Sequence, residues 1–189
     1  MKDFFEIEFI GRGGQGAKTA AEMVARSALK KGMHIQSFPD YGPERKGAPV
    51  RAFTRSSTKP IRGCSSEADP DVIVIIDPTL TSLNDTLFKA ANAQQIIVVN
   101  TIETSETIKK ELNFNGKVYT VDANKIALEL LKAPITNTTM LGAVSKSTGY
   151  YTLEELKQEI IDEFGKKLSP ELLKNNLAAA ERAYNEVKE

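Results

Sequence analysis

Six residues near the start of the chain, Gly11-Arg-Gly-Gly-Gln-Gly16, have the composition of a turn that exposes backbone N–H groups. The apolar run over residues 4–10 predicts a strand before them, and residues 19–31 predict a helix after them. A glycine-rich turn at such a junction leaves main-chain donors free to meet an anion or the backbone of another chain. The candidate residues for cofactor binding or interface contact are therefore Gly11, Arg12, Gly13, Gly14, Gln15 and Gly16.

Three interpretations of this turn compete. Its glycines match the G-x-G-x-x-G spacing of dinucleotide-binding folds, but the acid expected at the end of the second strand is missing or displaced to Asp40. A P-loop requires lysine directly after the second glycine, whereas Ala17 here precedes Lys18. In the third interpretation, the glycines only allow a tight turn and close helix–sheet contact.

A second loop is predicted over residues 39–47, where prolines and glycines are frequent. Arg45 and Lys46 could bind a phosphate or carboxylate, arginine with bidentate geometry. A tyrosine in such a loop offers an apolar face with a polar tip, which is common at interfaces. We therefore expect contact with a partner or ligand, and the candidate interface residues here are Tyr41, Gly42, Pro43 and Glu44.

Residues for conventional catalysis are few. His34 is the only histidine and falls at the start of a predicted strand, and Cys64 is the only cysteine. Aspartates flank the predicted strand over residues 71–77, and their simplest interpretation is solvation of the strand ends. We predict no catalytic residue and no metal ligand in this chain, which looks like a binding or assembly domain.

Composition sets further limits. The 189 residues include 25 basic and 25 acidic side chains, so no net field favours nucleic acid as a partner. No apolar stretch approaches the roughly 20 residues that span a bilayer, so we expect no membrane contact. A single cysteine offers neither a disulfide nor an iron–sulfur ligand set, which predicts a cytoplasmic location.

Extended and helical patterns alternate along the first two thirds of the chain. Strands are predicted at residues 33–38, 50–55, 71–77, 95–100 and 117–121, and helices at 81–92 and 104–112. The strand over residues 50–55, with alternating arginines, is predicted to be half-exposed. This order predicts an α/β fold, a three-layer Rossmann-like sandwich with a mostly parallel sheet.

The last third is helical in pattern, with helices predicted at residues 126–131, 138–147, 153–164 and 170–187. Ser169 and Pro170 suit the N-cap and first turn of the last helix. We expect one domain over residues 1–189, with an α/β core over 1–135 and additional C-terminal helices over 136–189. These helices would pack on the sheet or project as an arm.

Three motifs occur in the order in which a known family carries them. They are Gly11-Arg-Gly-Gly-Gln-Gly16, Tyr41-Gly-Pro-Glu-Arg-Lys-Gly47 and Asn137-Thr-Thr-Met-Leu-Gly-Ala143. With them the chain resembles the gamma subunit of 2-oxoacid:ferredoxin oxidoreductases, particularly pyruvate:ferredoxin oxidoreductase (pyruvate synthase). The family usually has Arg-Arg-Gly-Gly in the second motif, where this chain has Lys46 and Ala48. Lys46 weakens the case that bidentate phosphate recognition is required there.

The resemblance implies one part of a larger enzyme. Such complexes oxidatively decarboxylate a 2-oxoacid on thiamine diphosphate and Mg, pass electrons through iron–sulfur clusters to ferredoxin, and release acyl-CoA. Thiamine would be held mainly by the alpha and beta subunits and the clusters by delta, so this chain alone would bind none of these cofactors. The gamma chain would be a scaffold against these partners and help close over the thiamine or CoA region.

The resemblance also suggests roles for particular residues. Both loops would lie on the face buried in the complex, where Arg12, Arg45 and Lys46 are candidates for salt bridges or contacts to CoA phosphates. Asn137 and Met140, from the third motif, would be interface residues.

The sequence leaves the 2-oxoacid open. Gamma chains of pyruvate, 2-oxoglutarate, branched-chain oxoacid and indolepyruvate enzymes share these motifs, and pyruvate is the commonest case. A stand-alone nucleotide-binding module that uses the first glycine turn is the alternative from another class.

Overall fold

The computed structural model describes residues 4–41, 49–63, 69–83 and 92–189. The strands in these ranges are β1 (Phe5–Arg12), β2 (His34–Tyr41), β3 (Pro49–Ser57), β4 (Val72–Ile75), β5 (Ile96–Asn100) and β6 (Lys117–Val121). The helices are α1 (Ala17–Lys30), α2 (Ser105–Glu111), α3 (Ala123–Leu131), α4 (Asn137–Thr148), α5 (Leu153–Phe164) and α6 (Pro170–Glu186). A 3₁₀ helix covers Pro78–Leu83, and most of the helix predicted over residues 81–92 lies outside the described residues.

The six strands form one sheet in the order β2-β3-β1-β4-β5-β6. β1, β4, β5 and β6 pair in parallel, whereas β3 pairs antiparallel with both of its neighbours. β2 therefore runs in the same direction as β1, and only β3 opposes the rest. The predicted α/β fold with a mostly parallel sheet is confirmed.

Two apolar clusters cover the two faces of the sheet. One joins alternate strand residues such as Ile7 and Val74 to helices α1, α3, α4, α5 and α6. The other joins the intervening residues, such as Ile75 and Val99, to the 3₁₀ helix and α2. Side chains of a strand point alternately to opposite faces, so β4, with both faces covered, is apolar throughout. The result is the predicted three-layer arrangement.

The C-terminal helices pack on one face of the sheet and do not project as an arm. Residues 137–145 of α4 are all buried, because α4 lies between the sheet and the helices around it. α5 begins with a capping box at Thr152 and Glu155, and α6 begins with the predicted Ser169 cap and Pro170. The division into a core over 1–135 and an extension over 136–189 stays a prediction.

β2 is longer than the sequence indicated. It continues through Pro39 and Asp40 to Tyr41, residues that the sequence places in the second loop. β2 lies at the edge of the sheet, where a proline can turn its missing donor away from the neighbouring strand. The prediction that the loop begins at Pro39 was wrong for this reason.

The half-exposed character predicted for β3 was also wrong. β3 is an inner strand, and its residues 52–57 are buried. Arg55, only 3% exposed, pairs with Glu6 of β1, and Arg51 pairs with Glu8. Arg55 thus faces an acid of the adjacent strand instead of solvent, whereas Arg51 pairs with an acid and is partly exposed.

Candidate functional site

The glycine turn lies at the carboxyl-terminal edge of the sheet, which is the side where the parallel strands β1, β4, β5 and β6 end. β1 ends at Arg12, the N–H of Gln15 donates to the Arg12 carbonyl over 3.0 Å, and α1 begins at Ala17. Gly14 and Gly16 have φ values of 97° and 80°, in the left-handed region that glycine adopts without strain. The strand–turn–helix arrangement predicted for this segment is confirmed.

A network of side chains holds the base of the turn. The Gln15 carboxamide accepts from the Arg12 backbone N–H over 2.7 Å and donates to the Asp77 carboxylate over 2.7 Å. The Arg12 guanidinium lies 3.2 Å from the same carboxylate and donates to the Thr79 hydroxyl. The backbone N–H and hydroxyl of Thr79 also donate to Asp77. We call Arg12, Gln15, Asp77 and Thr79 the Asp77 network.

The Asp77 carboxylate is stabilised in its charged form. Burial acts to raise its pKa, but donation from Thr79 and Gln15 and the charge of Arg12 together hold the pKa below the ordinary value of 3.8. The sequence suggested only solvation of a strand end here. Asp77 instead links the end of β4 to the turn after β1, a contact between residues far apart in sequence.

Asp77→Asn should therefore reduce the free energy of unfolding by about 1.5–3 kcal/mol at pH 7, because a charged acceptor of several hydrogen bonds is lost. A lowered folded pKa stabilises the fold above the unfolded value of 3.8, and this stabilisation is lost as pH falls through the folded pKa. Thermal unfolding at pH 7, 5 and 3.5 should show the difference from wild type shrinking at the lowest pH. Asp122→Asn, which keeps a good N-cap for α3, is the control and should change little. An Asp77→Asn deficit that does not depend on pH would contradict this account.

The third motif meets the first at the start of two helices. A Cβ atom on Gly16 would lie 2.6 Å from Nδ2 of Asn137, the first residue of α4, so Gly16 allows this close approach. Asn137 is 6% exposed, and its Oδ1 has no hydrogen-bond partner among the described residues. The sequence did not indicate that these two motifs touch.

Further residues of the third motif pack inside the chain. Met140 is fully buried in the apolar cluster shared by α1 and the C-terminal helices, so a partner could reach it only if these helices separated. The Thr138 hydroxyl donates to Asn176 of α6 over 3.0 Å. The interface roles given to Asn137 and Met140 stay predictions.

The second loop starts and ends at the same edge as the glycine turn. Tyr41 at the end of β2 faces Val50 of β3, and Pro49 at the start of β3 faces Arg12. Residues 42–48 and the side chain of Tyr41 lie outside the described part of the chain. Among them are the predicted sites Gly42, Pro43, Glu44, Arg45 and Lys46. The described flanks thus place the ends of both loops at one edge of the sheet.

The sheet order does not suit a dinucleotide site. In that fold the strand carrying the ribose-binding acid neighbours β1. Here β3 lies between β1 and β2, and Asp40 faces Arg51, two strand spacings or roughly 9–10 Å from β1. Arg12 and Gln15 also fill the space between the ends of β1 and β4 through their bonds to Asp77.

The remaining polar candidates are dispersed. His34 is exposed at the start of β2, at the sheet edge opposite the glycine turn, and Cys64 lies outside the described residues. Asn100, which the sequence did not single out, donates from its carboxamide to the Ile76 carbonyl and to Asn124, joining β4, β5 and α3. An asparagine as the last residue of a buried strand was the available signal for it.

The described ranges contain no group of three or more histidine, cysteine or acidic side chains placed to hold a metal ion. None of their helices has both the length and the apolar character needed to cross a membrane. A cavity of about 610 Å³ lies between the start of α2, the end of β6 and residues 185–189, and no residue of the glycine turn lines it.

The family model described as "Pyruvate ferredoxin/flavodoxin oxidoreductase" matches residues 6–186. Pyruvate synthase subunit PorC of Thermotoga maritima is 45% identical over 187 residues, which cover 99% of this chain and 96% of the relative. A subunit of Thermococcus kodakarensis named "Pyruvate/ketoisovalerate oxidoreductases common subunit gamma" is 46% identical, with 95% of each chain covered.

Two solved structures share the fold of this chain. The crystal structure of the pyruvate oxidoreductase subunit PORC from T. maritima superposes with a TM-score of 0.86 and 42% identity, covering 99% of this chain and 98% of the other. A 2-oxoglutarate:ferredoxin oxidoreductase chain from Magnetococcus marinus shares the fold, with a TM-score of 0.77 and 21% identity. The match covers 98% of this chain and 31% of that longer chain.

Proposed function

The chain belongs to the pyruvate ferredoxin/flavodoxin oxidoreductase family, and on that premise we propose that it is the gamma subunit of a pyruvate:ferredoxin oxidoreductase, or pyruvate synthase. The assembled complex would oxidatively decarboxylate pyruvate to acetyl-CoA and CO₂ and pass the electrons to ferredoxin. Alpha, beta and delta subunits would be the partners of this chain, in the cytoplasm. The observation that carries the proposal is the end-to-end similarity to subunits named PorC.

The described geometry supports a role in assembly. Within the described ranges, the potentially reactive side chains do not form a nucleophile–base pair, since His34 lies at the edge opposite the Asp77 network. The tip of the glycine turn, at the other edge, is instead exposed and available for contact. A subunit that shapes a neighbouring site without reacting itself accounts for both features.

The oxoacid specificity would lie in other chains. One relative is named as a gamma subunit common to pyruvate and ketoisovalerate oxidoreductases. A subunit shared in this way supports the view that gamma does not select between those two oxoacids. Pyruvate is our assignment because it appears in the names of the PorC relatives.

The cofactors of the complex would be divided among the subunits. With one cysteine in the whole sequence, this chain lacks the thiolates that an iron–sulfur cluster requires. We propose that the clusters, and the thiamine diphosphate with its Mg, are held by the partner subunits.

CoA is a different case, because its phosphates could be held by side chains of this subunit. The Arg12 guanidinium is engaged by Asp77 and Thr79, which makes it a poor choice for a phosphate. Arg45 and Lys46 belong to the loop that leads from the end of β2 to Pro49, the first residue of β3, which faces Arg12. We therefore assign the CoA contact to these two cations.

A reconstitution experiment tests both the subunit role and the CoA contact. The wild-type chain should join the alpha, beta and delta subunits, seen by native mass spectrometry, and restore pyruvate-dependent reduction of ferredoxin. Arg45→Glu should join equally well but raise the KM for CoA about tenfold or more, because one charge-assisted contact becomes a repulsion. The kcat at saturating CoA should change much less.

Two comparisons make the experiment decisive. Lys166→Glu reverses an exposed charge between α5 and α6 and should leave the KM for CoA unchanged. If the wild-type chain fails to join the complex, the subunit role is wrong, and if Arg45→Glu leaves the KM unchanged, only the CoA contact is wrong. Micromolar binding of NAD(H), NADP(H), FAD or ATP by the single chain in calorimetry would instead favour the nucleotide-binding module.

A further inference from the structure

Asn115 and Gly116, between α2 and β6, form the only Asn-Gly pair in the sequence. The side-chain carbonyl carbon of an asparagine can be attacked by the backbone nitrogen of the next residue, which closes a five-membered imide ring. Both groups belong to one chain, so the reaction needs no second molecule to bring them together. Glycine favours the ring closure, because it has no side chain to obstruct the approach and its backbone adopts many conformations.

Within the part of the chain that the structure describes, both reacting groups are free of hydrogen bonds. Asn115 is exposed, and its carboxamide has no partner there. The Gly116 N–H likewise donates to no acceptor in the described ranges. A bonded N–H would have to give up its acceptor before the nitrogen could attack, which costs free energy. The fold therefore does not protect this pair.

Asn113, two residues earlier, is placed differently. It is also exposed, but the N–H of the next residue, Phe114, donates to the Lys109 carbonyl over 2.9 Å. The nitrogen that would attack Asn113 is thus occupied, and it carries a bulky side chain beside it. Two asparagines in one short connection therefore differ in the features that ring closure requires, and Asn113 is an internal control.

The residues on either side of Asn115 are fixed in the fold. Phe114 is 4% exposed and belongs to the apolar cluster that includes Val118 of β6. A Cβ atom on Gly116 would lie 2.4 Å from the Phe114 ring and 2.9 Å from the Gln95 carbonyl oxygen, so the backbone at 116 passes close to both. The connection between Phe114 and β6 therefore has little room for an additional backbone atom.

We propose that Asn115 and Gly116 are a site of spontaneous modification, at which Asn115 becomes aspartate or isoaspartate, and that the isoaspartate loosens β6. The Gly116 nitrogen bonds to Cγ of Asn115 and gives up its proton, while the bond from Cγ to Nδ2 breaks and Nδ2 leaves as ammonia. Water then adds to one carbonyl carbon of the imide, and the bond from that carbon to the ring nitrogen breaks. Opening at Cγ gives aspartate. Opening at the backbone carbonyl carbon gives isoaspartate, whose main chain runs through Cβ and Cγ.

Isoaspartate would add one atom to the main chain directly before β6. This strand begins at Lys117, pairs with β5 from Ile96 onward and lies at the end of the sheet order. On its other side, Thr120 and Lys188 exchange backbone hydrogen bonds of 2.8 and 3.0 Å. Because Phe114 is anchored in the apolar cluster, the added atom should shift or strain the pairing of β6 with both neighbours.

Ageing the purified full chain at neutral pH, below its melting temperature, tests the modification. Peptide mapping by mass spectrometry should show a gain of one dalton at Asn115 at least about tenfold faster than at Asn113, a difference in barrier of about 1.4 kcal/mol. The gain should appear in two separable products, aspartate and isoaspartate. Asn115→Gln, whose side chain could close only a larger ring, should abolish this change and leave the slower changes elsewhere as they are. Equal rates at the two asparagines would overturn the proposed site.

The effect on β6 has its own control. Asn115→Asp carries the charge of the modified chain without the added main-chain atom, and its melting temperature should equal that of unmodified wild type. The isolated isoaspartate form should melt at least about 2–4 °C lower. A melting temperature of the isoaspartate form equal to that of Asn115→Asp would overturn the proposed loosening of β6.

Discussion

Gly142→Ala is expected to destabilise the folded chain by at least about 3 kcal/mol, a large effect for the addition of one methyl group. A Cβ atom at this position would lie 1.9 Å from the backbone oxygen of Ala180 and 2.8 Å from its carbonyl carbon. Gly142 is in α4 and Ala180 in α6, so the two helices approach at backbone distance. Neither helix can move away freely, because α4 is also packed against the sheet.

Helix propensity alone predicts the opposite sign. Glycine in a helix interior is about 1 kcal/mol less favourable than alanine, so an unhindered replacement would stabilise α4. Gly142 has no positive φ that would disfavour alanine. The expected loss of stability is therefore due only to the contact with α6. The size of this loss would measure how closely α4 and α6 pack.

Chemical unfolding of the purified variant measures this effect. Ser147→Ala, a replacement by alanine in the last turn of the same helix, should stay within about 0.5 kcal/mol of wild type. Adding Ala180→Gly should not rescue Gly142→Ala, because the clash is with the Ala180 carbonyl and not with its methyl group. Stability of Gly142→Ala equal to wild type would mean that α4 and α6 are further apart than the structure places them.

Periodicity was sufficient to locate most elements. The apolar strands around residues 71–77 and 95–100 and the capped helix at Ser169 were predicted within a few residues, because each signal is local in sequence. The strand order was not predictable in this way. Insertion of β3 between β1 and β2 depends on pairing between residues that are 37 (Arg12 and Pro49) to 51 (Phe5 and Ser56) positions apart. The alternation of apolar and polar residues within one segment carries no information about such pairing.

The glycine turn was found from sequence, but its surroundings were not. Asp77 and Asn137 reach it only after folding, from positions more than 60 residues away. A signal for the β1–β3 pair was present, since Glu6 and Glu8 share one face of the first strand and two arginines, at 51 and 55, share one face of the later one. Charged residues along a single strand predict that one of its faces is exposed to solvent. Opposite charges on two strands predict that the strands pair, but only when both strands are considered together.

The buried ion pair between β3 and β1 is the source of the second large effect that we expect on the free energy of unfolding. Arg55 and Glu6 face each other on β3 and β1, with exposures of 3% and 1%. The Arg55 guanidinium also lies 4.9 and 5.0 Å from the ring centres of Phe4 and Phe38. Two charges that are this deeply buried are tolerated because they are paired, and removal of one leaves the other without compensation.

Arg55→Met should therefore reduce the free energy of unfolding by about 3–5 kcal/mol, since the Glu6 carboxylate would stay buried next to an apolar side chain. Arg51→Met should cost less. The Arg51 side chain is 28% exposed, and burial raises the pKa of its partner Glu8 even with Arg51 present, so Glu8 can become neutral more readily. Urea unfolding of both variants at pH 7 gives the comparison.

The double variant Glu6→Leu/Arg55→Met separates the two origins of this loss. If the cost of Arg55→Met comes from an unpaired buried charge, removing that charge should restore most of the stability, because well-packed apolar residues can replace a buried ion pair at little or no cost. If it comes from lost packing of the guanidinium against Phe4 and Phe38, the double variant should be at least as unstable as Arg55→Met. We expect recovery, since methionine retains much of the apolar contact with both rings while only arginine can neutralise Glu6. A double variant without recovery would show that the pair contributes through its aromatic neighbours and not through its charges.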